Sequence, residues 1–219
     1  MDPKAFFRKC EERQTLKPFE WIVAILKILF GAVMVWGVAK IFVLNQPLLA
    51  GWIGMAGIIF LLHFGLFHLQ ALIYWRSGIA VEPIRRAPVL SQSPAQFWGR
   101  RWNLAFNKLA YDFGFAPLKR RLVSAGVTLA VFAASGLIHE LVISVPARGG
   151  YGLPTLYFTI QGFGIVFEHS KFGKRLRLGR GWRGWVFTAA ITARPAFVLF
   201  PPPFVRNVIL PMLNAIGAT

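Results

Sequence analysis

Apolar residues come in long blocks along this chain, and polar residues collect in the intervals between them. The runs at about Trp21–Leu44 and Trp52–Trp75 are nearly unbroken, and further blocks lie at about Leu122–Val145, Thr155–Phe167, Gly184–Phe200 and Val205–Ile216. A helix rises 1.5 Å per residue, so about 20 apolar residues cross a ~30 Å hydrocarbon core. The pattern therefore predicts an all-α fold, a polytopic transmembrane helical bundle of about six spans. Short turn-forming stretches separate the blocks: NQPLLAG, PARGGYGLP and PPP. With no internal repeat and no low-complexity linker, residues 1–219 read as a single membrane domain.

Composition excludes a soluble alternative. The chain has 219 residues, 56% hydrophobic and 15% charged, too little polar surface for a water-soluble fold of this size. Its charge is lopsided, with 25 Lys+Arg against 8 Asp+Glu and a formal +17. Such a balance invites a nucleic-acid reading, but the basic residues are confined to segments between apolar blocks. In a membrane protein that arrangement reports topology and contact with anionic lipid. Residues 1–20 hold five Lys+Arg, 76–121 hold nine and 170–183 hold six, whereas the alternate turns hold almost none. Both termini and the two large loops, 76–121 and 168–183, are accordingly expected in the cytoplasm, with no nucleic acid as partner. The arginine weighting favours a bacterial inner membrane over the endoplasmic reticulum.

Polar groups inside spans are costly in hydrocarbon and each needs a reason. His63 and His68 are five residues apart, about 140° around a helix, so they do not share a metal; they read as packed or hydrogen-bonded structural residues. Cys10 is the sole cysteine, which excludes an internal disulfide and paired-cysteine metal sites. His139 and Glu140 sit differently. In ASGLIHELV they follow Ala133, Ala134, Ser135 and Gly136, small residues that admit a neighbouring helix or a ligand. A neutral histidine there suits proton abstraction from a hydroxyl; on the residues alone a structural histidine bonded across helices is the more common case. Glu140 and Arg194 fall at similar depth in two parallel spans, and the expectation is an ion pair.

The longest charged interval contains FWGRRWN, residues 97–103. Trp98, Trp102, Phe106, Leu109 and Phe113 recur at spacings of 4, 4, 3 and 4, the stripe of an interfacial amphipathic helix. Asn103 and Asn107 share a neighbouring face, while Arg100, Arg101 and Lys108 supply charge. Either the helix simply binds lipid, or it covers a cavity mouth and presents Asn103 into it.

SPAQFWGRRWN, followed 36 residues after Asn103 by the histidine of SGLIHEL, resembles the wax-synthase-like branch of the membrane-bound O-acyltransferase superfamily. The later pattern of Pro154, Thr155, Phe158, Gln161, Gly162 and Glu168 fits it too, and the match covers Ser93 to His169. The resemblance implies transfer of an acyl chain from acyl-CoA to a hydroxyl, with a long-chain alcohol as the expected acceptor. It makes His139 the general base and Asn103 the residue that orients reactants or stabilises the oxyanion. Acyl-CoA is a co-substrate, and neither cofactor nor metal is expected. Arg100, Arg101, Lys119, Arg120 and Arg121 are candidates for the CoA phosphates, and Trp98, Trp102 and Glu140 complete the expected substrate-binding set. With no suitable cysteine, direct attack by the alcohol is favoured over an acyl-enzyme.

Two features stand against a simple transfer of the family plan. Members of the superfamily commonly have more spans, so the tunnel here calls for a partner subunit and a homo-oligomer. His139 also lies ~25 Å along its span, and Asn103 reaches it only if the loop helix dips inward or the span starts below the interface. A transporter or channel lined by His139, Glu140 and Arg194, and a non-catalytic scaffold, are the competing readings.

Overall fold

The computed structural model describes residues 18–79, 87–102, 110–115, 119 and 123–218. The described residues are helices joined by turns: α1 (Pro18–Phe42), α2 (Pro47–Arg76), α3 (Ser124–Ala147), α4 (Leu153–His169), α5 (Lys171–Arg175), α6 (Gly181–Thr192), α7 (Ala196–Leu199) and α8 (Pro202–Ala215). A shorter helical stretch covers Pro94–Gln96 and continues in a wider turn over Phe97–Arg101. Of the amphipathic helix expected from Trp98 to Phe113, residues 103–109 lie outside the described residues; Phe97–Arg101 and Ala110–Phe115 are helical, and Trp102 is extended and ends the first of them.

Helices α1, α2 and α3, of 25, 30 and 24 residues, are long and apolar enough to cross a membrane. Six separate spans are a different matter. Helix α4 has 17 residues, about 25 Å at the helical rise and short of the hydrocarbon thickness. The last two expected spans form a single pair, Gly181–Leu199 and Pro202–Ala215, bent by 58°. Prolines cause the break, since Pro201 to Pro203 cannot continue a helix. The described residues thus carry three spans, or four if the bent pair is one. The chain is an integral membrane protein.

The chain falls into two compact units, residues 1–83 with 208–219 and residues 84–207. In the first, α1 and α2 form a hairpin, and Pro47 opens α2 at a position where its missing N–H costs nothing. The pair packs backbone to backbone: a Cβ on Gly31 would lie 2.7 Å from the Gly57 carbonyl oxygen and 2.5 Å from the Leu61 nitrogen. Lys27 donates to His68 Nδ1 at 3.4 Å, and His68 Nε2 faces Glu20 Oε2 at 3.4 Å. His68 therefore bridges the two helices as a hydrogen-bonded structural residue. Trp36 Nε1 donates to the Ile216 carbonyl at 3.0 Å and holds the C-terminal piece to α1.

In the second unit α3 and α4 pack as an antiparallel pair. The turn between them contains Arg148, Gly150 and Gly152 at φ of 51°, 78° and 84°. Glycine takes such angles without steric penalty, and for that reason PARGGYGLP reverses the chain so tightly.

Candidate active site

The residues of the Pro154-to-Glu168 pattern all lie on α4 and, at 100° per residue, within an arc of about 140°. The pattern is a single helix face. Four of its members, Thr155, Phe158, Gln161 and Glu168, meet parts of the chain that the sequence singles out.

His139 is the last residue of the regular part of α3 and is half-buried. Its Nδ1 lies 2.7 Å from the carbonyl oxygen of Ser135, one turn back. A carbonyl only accepts, so Nδ1 carries the hydrogen and, in the neutral ring, Nε2 carries the lone pair. The imidazole lies against Phe158 with ring centroids 4.2 Å apart. That contact needs α3 and α4 to approach closely, and Gly136 permits it: a Cβ there would fall 2.7 Å from the Thr155 Cα. The small residues before His139 admit a helix.

Glu140 does not pair with Arg194. Its Oε1 accepts from the Thr155 amide at 3.0 Å and from the Thr155 hydroxyl at 2.9 Å. Thr155 stands in the first turn of α4, where backbone N–H groups have no helical acceptor and the helix dipole favours an anion. Gly152, the residue preceding α4, has no side chain to cap it, so α3 provides the acceptor. Arg194 is exposed and makes no ion pair with Glu140.

FWGRRWN is anchored from the other end of α4. Ser93 caps its helical stretch by accepting from the Gln96 amide at 2.9 Å. The Ala95 amide donates to Glu168 Oε2 at 3.3 Å, and Glu168 is 9% exposed. Trp98 turns inward, so it is not a lipid-facing anchor. Its indole lies against Phe132 at 5.7 Å and Phe158 at 5.6 Å, and its N–H donates to Gln161 Oε1 at 3.2 Å. Phe132 lies eight residues into α3, about 12 Å from its start, so the motif dips beside the helix instead of staying at its end. Trp98 and His139 are separated by one phenyl ring, that of Phe158. Trp102 stacks on Phe97 at 5.4 Å within the motif.

The other expected contacts scatter. Arg101 donates to the Ala87 carbonyl at 3.1 Å, so part of its guanidinium already has a partner. Arg100 and Lys119 are exposed. Asn103, Arg120 and Arg121 lie outside the described residues. Phe158, Gln161, Phe132 and Ser135 were not expected as site residues. For the first two the signal was present, since the spacing of the α4 pattern marks one face; nothing local marks Phe132 or Ser135.

Residues 81–160 match the membrane bound O-acyl transferase family. The chain is 32% identical over 147 residues to a probable long-chain-alcohol O-fatty-acyltransferase 7 of Arabidopsis thaliana, 59% of this chain and 42% of the relative. It is 29% identical over 143 residues to a long-chain-alcohol O-fatty-acyltransferase of Simmondsia chinensis, 59% and 40% of the two chains. Against an acyl-CoA–sterol O-acyltransferase 1 of Arabidopsis thaliana the figures are 30% over 159 residues, 65% and 45%. The chain spans less than half the length of these curated relatives. Its histidine helix, the loop motif before it and the α4 face after it make one packed unit, and most of that unit, with FWGRRWN and His139, falls within the segment 81–160 that matches the family.

Proposed function

We propose that the protein transfers a fatty acyl group from acyl-CoA to the hydroxyl of a long-chain alcohol, with His139 as general base. The observation that carries this is the tautomer of His139: its Nδ1–H is committed to the Ser135 carbonyl, which leaves Nε2 as the proton acceptor. The alcohol gives its proton to Nε2 as its oxygen attacks the thioester carbonyl. On collapse of the tetrahedral intermediate the C–S bond breaks, and the departing thiolate recovers the proton from Nε2. The ester and free CoA are the products.

Asn103 is proposed to steady the developing oxyanion, and exposed Arg100 and Lys119, with Arg120 and Arg121, to meet the CoA phosphates. The alternation of basic and neutral segments supports cytoplasmic termini and loops, with α4 as a short crossing, and the arginine weighting supports a bacterial inner membrane. Relatives named for alcohol and for sterol acceptors support a hydrophobic acceptor.

Membranes holding the wild-type chain are expected to transfer radiolabelled acyl from acyl-CoA to hexadecanol, and those holding His139→Ala are not. Equal transfer by the two would overturn the role of His139. Absence of transfer by the wild type over a panel of alcohols, sterols and glycerolipids would overturn the acyltransferase reading.

A further inference from the structure

Helix α6 ends in a break at Ala193, Arg194 and Pro195. A helical carbonyl accepts from the N–H four residues later, and for Ile191 that residue is Pro195, which has none. The Ala196 amide, which would serve Thr192, turns to the Ala193 carbonyl at 3.1 Å instead. In a membrane protein both exposed carbonyls need a partner from elsewhere in the protein. Helix α4 supplies both. Tyr157 Oη donates to the Thr192 carbonyl at 2.9 Å, and Gln161 Nε2 donates to the Ile191 carbonyl at 2.7 Å.

The second of these bonds does more than cap α6. Gln161 is 0% exposed, and with Nε2 committed to Ile191 its Oε1 faces the other way, onto the indole N–H of Trp98 at 3.2 Å. Both partners demand the same orientation of the amide, because a carbonyl must receive a hydrogen and an indole must give one. A carboxylate of this size would accept from the indole but could not donate to the carbonyl. One residue therefore ties the FWGRRWN segment to the end of α6, and the ring it holds, Trp98, rests on the Phe158 ring that backs His139.

We infer that Gln161 is a positioning residue: it fixes Trp98, and through Trp98 and Phe158 it sets the imidazole of His139 against the loop motif. The inference rests on the acyl-transfer reading above. It makes the Pro195 break a functional part of the fold, since that break supplies the acceptor that orients Gln161.

The test uses the full chain in micelles and in vesicles, with Gln161→Met, Trp98→Phe and the double variant. Each single change removes the Trp98–Gln161 bond from one end while keeping apolar bulk. For both, kcat is expected to fall by about 10- to 100-fold, with the acyl-CoA KM held within about twofold. The double variant should fall no further than Gln161→Met alone, because Trp98→Phe breaks only the Trp98–Gln161 bond that Gln161→Met already breaks. In protein labelled with 15N at the indoles, the Trp98 N–H, identified by its loss in Trp98→Phe, should exchange slowly with deuterated water and quickly in Gln161→Met. Unchanged exchange in Gln161→Met, multiplicative losses in the double variant, or a raised KM with kcat retained would each overturn the inference. Should Gln161→Met not run as a monodisperse species, the kinetics of Trp98→Phe carry the test. A wild type that transfers no acyl group overturns the acyl-transfer reading and the effect on kcat together, while the indole exchange still decides the Trp98–Gln161 bond.

Discussion

The imidazole Nδ1 of His139 donates to the carbonyl of Ser135 at 2.7 Å, one turn earlier on the same helix. The helix backbone thus selects the tautomer without help from a second side chain. Asparagine at this position keeps an N–H where Nδ1 stands but has no counterpart of Nε2. His139→Asn is expected to fold as the wild type does and to lose acyl transfer by about 10²–10⁴-fold, the usual contribution of a general base. Initial rates with saturating acyl-CoA, alongside the thermal midpoint, check it. Retained activity in His139→Asn would show that Nε2 takes no proton.

The close approach of α3 to α4 depends on Gly136. A methyl group 2.7 Å from the Thr155 Cα cannot be accommodated without parting the helices. Gly136→Ala is expected to destabilise the protein by about 1–3 kcal/mol and to lower activity by moving His139 off Phe158. Gly99, inside FWGRRWN, has nothing within 4 Å of where a Cβ would sit, so Gly99→Ala should leave the thermal midpoint unchanged. Thermal unfolding in detergent of the two variants side by side measures the contrast.

Glu140 caps α4 through Thr155, so removing it strands two donors. Glu140→Ala is expected to cost about 1–3 kcal/mol, whereas Glu140→Gln, which keeps an acceptor oxygen, should cost less. The charge-reversed pair Glu140→Arg with Arg194→Glu should show no rescue relative to Glu140→Arg alone. A rescue would restore the ion pair that the sequence invites and the structure replaces.

Glu168 holds the opposite end of the same face by accepting from the Ala95 amide at 3.3 Å. Glu168→Ala should free that amide, whereas Glu168→Gln should keep it bonded. Hydrogen exchange at residues 93–98, followed by mass spectrometry, is expected to accelerate in the first variant and not in the second. Equal exchange in both would mean that the segment is held elsewhere.

These relationships differ in how much the chain reveals before folding. Membrane insertion, the breaks between apolar blocks and the helical character of the chain follow from the sequence alone, because they depend on composition over 20 residues and on the local chemistry of proline and glycine. The motif order, FWGRRWN before SGLIHEL before the α4 pattern, was legible in the same way and carries the resemblance to the family. The face that α4 presents was implicit in spacings of three and four. What that face touches was not.

Glu140 and Arg194 matched in depth and charge, but an acceptor was needed at the start of α4, where Gly152 offers none, and Thr155 there takes the carboxylate at 2.9 Å. Trp98 looked like an interfacial anchor because one-dimensional spacing cannot distinguish a stripe facing lipid from one facing a helix. Likewise, the apolar block at Thr155–Phe167 reads as a span, but the helix that holds it, 17 residues and about 25 Å long, falls short of the hydrocarbon thickness. Hydrophobic length and turn chemistry are properties of neighbours in sequence. Which donor finds which acceptor is a property of neighbours in space, and only the packing of α3, α4 and α6 decided it.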